Sequence, residues 1–374
     1  MNAVSLRCLD EMIDGLCEWF VRRQNSCPGA PKGWFGAYGE DTLARGVRMD
    51  VLVPMRQLYA VTAVLKTGIR KARHDWLRAG NEALEASLSH YGDINILDYH
   101  AAYMLLRLKE LGVIEWNKDK EDFVSRVVDF LTRNVSDEYT FPHHVGTDPA
   151  RIHGSGSSNH PVGTPIGVAR FFFEWCKHHL PSESEKNSRI IGIARRCLEK
   201  ALSAQSPSGG IPYNFSSESV PSLHYHIGNT RGMLDIYYQA KADVQTDIHD
   251  ALVNALDYIL SPGLKSDGTL DIEKHDSSLA AYFTTTYTGG IATMALANTV
   301  FPDRGYGKCL DRLVEKLHSC YDPVRKSLRE QVELVETHYY KEFLKLTDFS
   351  QPRWDSYPMN AQGVYELCLA RDYV

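Results

Sequence analysis

The sequence predicts an all-α fold: an (α/α)6 barrel, or toroid, of six helical hairpins that spans residues 1–374 as a single domain. Three observations predict it. Apolar residues recur at helical spacing in twelve segments along the chain. The segments alternate in kind, one amphipathic and the next apolar on almost every face. The apolar segments begin near Arg48, Asp98, Gly163, Tyr225, Tyr287 and Pro358, a repeat of about sixty residues. A ring of apolar helices wrapped by amphipathic ones buries both kinds of surface.

The elements follow in order. Leu6, Leu9, Met12, Ile13, Leu16, Trp19 and Phe20 share one helical face, and the run from Val47 to Thr67 is much more apolar. A polar-faced helix over Arg70–Tyr91 precedes an apolar one starting near Asp98. Glu121–Val135 pairs with Gly163–His179, and Glu185–Ala204 with His224–Ala240. Gln245–Leu260 pairs with Ala281–Thr299, and Tyr306–Tyr321 with Ser356–Arg371. Links from an amphipathic helix to the next apolar one are mostly long: 25–44, 136–162, 206–221, 262–280 and 322–354. Links in the other direction are mostly short. The long loops therefore gather at the N-termini of the apolar helices, where sites on rigid scaffolds usually form. Each helix N-terminus there contributes roughly half a positive charge, which suits an anionic ligand group.

Composition excludes several classes. The chain is 43% hydrophobic and 24% charged, with a net charge of -6 and scattered Lys and Arg, which argues against nucleic acid as a partner. No apolar stretch is long enough to span a bilayer. Asp10, Glu11 and Asp14 interrupt the first apolar pattern, so that segment reads as an amphipathic helix and not a signal peptide. A cytoplasmic location is the expectation. The eight cysteines form no C-x-x-C pair and read as reduced, mostly buried thiols. No cofactor is expected. His143, His144 and His153 share one loop, but a metal needs more ligands than that pattern supplies.

Two motifs carry a resemblance to known α/α-toroid enzymes. The run Gln205-Ser206-Pro207-Ser208-Gly209-Gly210, with a weaker copy at Asp267-Gly268, resembles the glutamine and Gly-Gly turn of terpenoid cyclases and related toroids. The second is Ser158-Asn159-His160 followed by Gly210-Ile211-Pro212 and His224-Tyr225-His226. This set resembles the Asn-Asn-His, Gly-x-x-Pro and Ala-Tyr-His elements of alginate-lyase-type polysaccharide lyases. Ser158 replaces the first Asn of that pattern, and no Arg lies between Ser217 and Leu223.

The resemblance implies β-elimination on an acidic, uronate-containing carbohydrate. Such an enzyme removes a proton beside a carboxylate and expels a glycosidic oxygen. Polar donors stabilise the enolate-like transition state, and a Tyr or His moves the proton. The expected catalytic residues are Tyr225, His226, His160 and Asn159. Expected substrate-binding residues are His224, Asn229, Arg231, Asp98, Tyr99, His100, Tyr287, Trp34 and Trp354, with an oligosaccharide or small molecule as the ligand. Two alternatives stand beside this reading. One is a terpenoid cyclase or isomerase, although the chain has no D-x-D-D or D-D-x-x-D motif. The other is a glycoside hydrolase on the same barrel, with Asp98 and Asp355 as candidate carboxyls.

Overall fold

The amphipathic helices begin where a short polar side chain caps them. The computed structural model describes residues 1–26, 31–35, 53–89, 94–141, 160–179, 184–215, 221–239, 242–261, 263–268, 270, 284–329 and 357–374. In it, Asn2 accepts from the N–H groups of Val4 and Ser5, both at 2.9 Å. Asn117 accepts from Lys120 at 3.2 Å, and Ser184 from Asn187 at 3.2 Å. Twelve α-helices are described. They are α1 Ala3–Arg23, α2 Val53–Arg70, α3 His74–Ser89, α4 Asp98–Glu110, α5 Lys118–Asn134, α6 Gly163–His178, α7 Glu185–Leu202, α8 Leu223–Gln239, α9 Ala242–Leu260, α10 Thr284–Val300, α11 Leu310–His318 and α12 Tyr357–Arg371. None is long and apolar enough to cross a membrane.

The chain divides into two compact units, residues 1–90 with 259–374, and residues 91–258. In the first, α12 packs against both α2 and α10, and α3, α11 and α1 pack on these from outside. Helix α10 is buried at every position from Thr284 to Ala297, as a helix without a polar face must be. A two-stranded ribbon, β1 Tyr321–Asp322 and β2 Ser327–Leu328, pairs Tyr321 with Leu328. In the second unit, α6 packs against both α4 and α8. Helix α5 buries one stripe, Phe123, Val124, Val127, Val128 and Leu131, against this layer. Each such side chain contributes about 1.5–3 kcal/mol when fully buried.

Two expectations change. The sequence pairs each amphipathic helix with the apolar helix after it. The tightest pairs of consecutive helices are instead α2 with α3 and α6 with α7, each an apolar helix followed by its amphipathic one. Short links force adjacency, and long ones do not. The helix expected over Tyr306–Tyr321 opens as two 3-10 turns, 302–304 and 306–309, and is α-helical only from Leu310 to His318. Gly305, at φ 73°, separates those turns, and Tyr321 belongs to the ribbon.

The glutamine and Gly-Gly turn has a physical role. After α7, the Gln205 amide donates to the carbonyls of Gly209 and Ala251, each at 2.9 Å, which ties the turn to α9. Gly209 sits at φ 93°, and a Cβ there would lie 2.3 Å from the Asn254 carbonyl oxygen. The same device follows α1, where the Gln24 amide donates to Gly33 at 2.8 Å and Ala79 at 3.0 Å. Gly33 has φ 101° beside the Glu82 carbonyl. Left-handed residues also follow α5, α9 and α11, at Tyr139, Gly268 and Lys326. Each contacts an amphipathic helix of its own unit: Arg196 lies over the Tyr139 ring, Gly268 abuts Arg312, and Lys326 pairs with Glu18.

Two predictions follow from these turns. Gly209→Ala should cost about 2 kcal/mol or more, because a strained φ and a backbone clash coincide. A calorimetric Tm drop of several degrees is the expected reading. The Lys326 ammonium holds the Glu18 carboxyl below its usual 4.5. The pair therefore stabilises above that pH and loses its effect as pH falls through the lower folded value. The Tm gap between wild type and Lys326→Met should accordingly be present at neutral pH and close in acid.

Candidate active site

His226 lies one turn into α8 and is fully buried. The Ile211 N–H donates to its Nδ1 at 3.0 Å, so Nδ1 carries no proton. Its Nε2 is then the donor, to the Ala255 carbonyl at 2.9 Å. Both nitrogens are spent on the backbone, and the Tyr258 ring closes over them at 4.8 Å. His226 latches the glycine turn to α9. This corrects its expected part in proton transfer, because no nitrogen remains for a substrate.

Tyr225, next along the helix, points the other way and is 41% exposed. Its ring lies 4.3 Å from that of Tyr213 and 5.2 Å, edge-on, from that of His224. Tyr213 belongs to a short antiparallel pairing. Val162 N–H donates to the Tyr213 carbonyl at 2.9 Å, and Phe215 N–H donates to the His160 carbonyl at 3.2 Å. That pairing sets the His160 backbone against the segment that carries Tyr213, whose ring neighbours Tyr225. The His160 ring is held from one side: Nδ1 meets the Thr140 hydroxyl at 2.8 Å, and Thr140 in turn meets Ser136 at 3.0 Å. Among the described residues, Nε2 of His160 has no partner. Burial, and then the neighbouring Tyr225, push the Tyr213 phenol up, so Tyr213 keeps its proton at neutral pH.

The electrostatic setting favours an anion. The outer helices α1, α5 and α7 have side-chain caps, whereas the cap positions of α4 and α6 are Leu97 and Val162, which cap nothing. Beside the first residue of α6, Asn229 packs over Gly163, where a Cβ would lie 2.5 Å from the Asn229 Oδ1. The Asn229 amide nitrogen is buried and without a partner among the described residues. Gly228 is exposed, and a Cβ there would meet nothing within 4 Å. It leaves open space one turn from His224 and Tyr225. Sequence reasoning missed Gly228, Tyr213 and Thr140. A helical glycine beside the His-Tyr pair was the available signal for the first.

Other expected ligand-facing residues are packed instead. Trp34 is buried, as is Phe35, whose ring lies 6.1 Å from that of Phe20. Tyr99 is buried against α6, where a Cβ on Gly167 would lie 2.3 Å from its ring, and the His100 ring lies 4.1 Å from that of Tyr99. The Asp98 carboxylate accepts the Asn95 N–H at 2.8 Å. Arg231 is buried and bonds Asp235 at 3.1 Å, where Arg170 also arrives. Tyr287, in the other unit, accepts the Leu270 N–H on its hydroxyl. Chain packing claims each of these. Asn159, Trp354, Asp355, His143, His144 and His153 lie outside the described residues.

Among the described residues, Glu110, Glu174 and His178 bring three metal-type ligand atoms together, at the C-terminal ends of α4 and α6. Arg107 and Lys177 already pair with Glu110, and His178 meets Glu174 at 3.1 Å. The group therefore reads as an ion network.

No protein-family model matches the chain, and no curated protein matches it in sequence. Solved structures do match its fold. The cellobiose 2-epimerase of Bacillus thermoamylovorans B4167 superposes with a TM-score of 0.70 at 12% identity, over 98% of this chain and 99% of that one. An inactive variant of a Salegentibacter sp. HEL1_6 α-1,6-mannanase, in complex with α-1,6-mannotriose, gives 0.65 at 10% identity over 98% and 100%. A D-mannose isomerase gives 0.64 at 9% identity over 99% of each chain. These are all-α (α/α)6 toroids, and the chain has that fold.

The latch role of His226 is testable. His226→Ala strips partners from two buried backbone groups and leaves a cavity, at a cost of roughly 2–5 kcal/mol. The folded fraction should keep turnover within a few-fold of wild type, measured per folded molecule by circular dichroism and assay. An unchanged Tm with abolished turnover would contradict the assignment.

Proposed function

We propose that this chain is a carbohydrate-active enzyme that moves a proton at a sugar carbon, with β-elimination on an acidic, uronate-type sugar as its reaction. The observation that carries the reading is the junction of Tyr225 and His160. The exposed Tyr225 phenol lies beside the ring of Tyr213, and the segment of Tyr213 pairs by backbone with that of His160, whose imidazole is tethered from one side. Elimination needs two proton movements. One group takes the proton from the carbon beside the carboxylate, and the electron pair forms the new double bond. The other gives a proton to the departing glycosidic oxygen. Tyr225 and His160 divide these two tasks. The amide of Asn229 and the uncapped N-terminus of α6, with Asn159 next to His160 in the sequence, would neutralise the carboxylate as negative charge builds on it.

A second reading is supported by the fold likeness to a cellobiose 2-epimerase and a D-mannose isomerase. Epimerisation begins with the same step, proton removal beside a carbonyl, and returns a proton to carbon. Hydrolysis, which the mannanase likeness supports, needs two carboxyls astride the bond. In residues 91–258 the described candidates are occupied: Asp98 accepts from Asn95, and Asp235 lies between two arginines. The neighbours named above lend nothing to the terpenoid reading.

Incubation with a panel of uronate oligosaccharides separates these readings by ultraviolet absorbance, because only elimination makes a conjugated unsaturated product. Rising absorbance on at least one member is expected. Tyr225→Phe should lower that rate by about 10²-fold or more while leaving Tm unchanged. Near-normal turnover in Tyr225→Phe would remove Tyr225 from the chemistry.

A further inference from the structure

The turn that tethers His160 has a second side. Between the C-terminal end of α5 and the outer face of α7 lies a groove of about 420 Å³, lined by Ser136, Asp137, Tyr139, Arg189, Gly192 and Arg196 among others. Arg189 and Arg196 are seven residues apart on one helix, so they stand on the same face about 10 Å from each other. Both are exposed. Among the described residues Arg189 has no ion-pair partner, and Arg196 lies only over the Tyr139 ring, at 5.7 Å.

Gly192 sits between the two arginines. Glycine inside a helix loses stability relative to alanine. At Gly209 a left-handed φ and a backbone contact explain the residue. At Gly192 neither exists: its φ is not left-handed, and a Cβ would meet nothing within 4 Å. The position faces open groove. The missing side chain keeps a saddle clear between two unsatisfied cations, on a chain whose net charge is -6.

We propose that this groove is a binding subsite for the acid groups of an oligosaccharide chain, with Arg189 and Arg196 as paired anion receptors and Gly192 as the clearance between them. This rests on the reading that the substrate is an acidic sugar. Ser136 lines the groove and also bonds Thr140, which holds His160. A chain seated in the groove therefore lies against the segment that positions the proposed catalytic imidazole. Tyr139 offers a ring face for a sugar, and the two guanidinium groups hold carboxylates.

The test is calorimetric titration of hexagalacturonate, with cellohexaose as the neutral control, into Tyr225→Phe protein so that ligand is not consumed. The same titration is run with Gly192→Trp, or with Arg189→Gln and Arg196→Gln together, added to that background. Gly192→Trp fills the groove from a position without neighbours, so its Tm should stay at or above that of the parent. The charge-removing pair tests the same site should that variant fail to fold. Hexagalacturonate should bind the parent, weaken at least tenfold in either groove variant, and weaken with salt, while cellohexaose should show no groove-dependent binding. Equal affinity in parent and groove variants would overturn the proposal and leave the β-elimination reading standing. Groove-dependent binding without any unsaturated product from the wild type would do the reverse. No binding of hexagalacturonate to the parent would overturn the groove proposal, and the absorbance panel would decide the elimination reading on its own.

Discussion

A helix that is apolar on every face cannot rest at a surface. Helix α10, buried from Thr284 to Ala297, states that constraint most plainly; α8 is also buried from Asn229 to Ile236, but there Arg231 and Asp235 satisfy each other. Each such helix needs neighbours on both flanks and a cover outside. In residues 91–258 the flanks of α6 are the apolar helices α4 and α8, and the cover of α4 and of α6 is the amphipathic helix that follows after a short link. Long links are then free to run from the end of each cover to the next apolar helix. Left-handed residues at Gly33, Tyr139, Gly209, Gly268 and Lys326 start those links, and each is pinned to an outer helix of its own unit.

The proposed chemistry depends on that arrangement. An apolar helix can expose residues only near its ends, as α8 does at Tyr225 and Tyr238. In α8 the first turn and a half alternates between two duties. His226 turns inward and is consumed by the backbone of Ile211 and Ala255. Tyr225 and Gly228 turn outward, one supplying a phenol and the other leaving room beside it. A rigid inward latch beside an exposed reactive group positions that group without loop flexibility. His160 is placed by a different route, through backbone pairing with Phe215 and a hydroxyl relay from Ser136 and Thr140.

The fold was legible because its signal is long-range and redundant: twelve periodic segments, two alternating kinds and one repeat length. The link between Asn159-His160 and the His-Tyr-His run was legible as a motif; the described part of it sets the His160 backbone against the segment that carries Tyr213, and the Tyr213 ring lies beside that of Tyr225. What could not be read was the direction of individual side chains. His224, Tyr225 and His226 are consecutive, and helical geometry sends adjacent residues to different faces, so one becomes a latch and another a rim residue. Trp34, Tyr99 and Tyr287 have the composition of sugar-stacking residues, yet large aromatics also fill cores, and burial decides between the two uses. Gly192 was missed because glycine in a helix with no motif beside it is informative only once the space around it is known.

The central claim is that Tyr225 and His160 transfer a proton at a sugar carbon. The most direct measurement is proton NMR of sugars, acidic and neutral, incubated with the enzyme in D2O. The account predicts that the C–H signal beside a carboxylate or carbonyl disappears with wild-type protein, through elimination or exchange, and persists with Tyr225→Phe. New reducing ends with every C–H signal intact would identify a hydrolase and contradict it, as would equal loss of signal in both proteins.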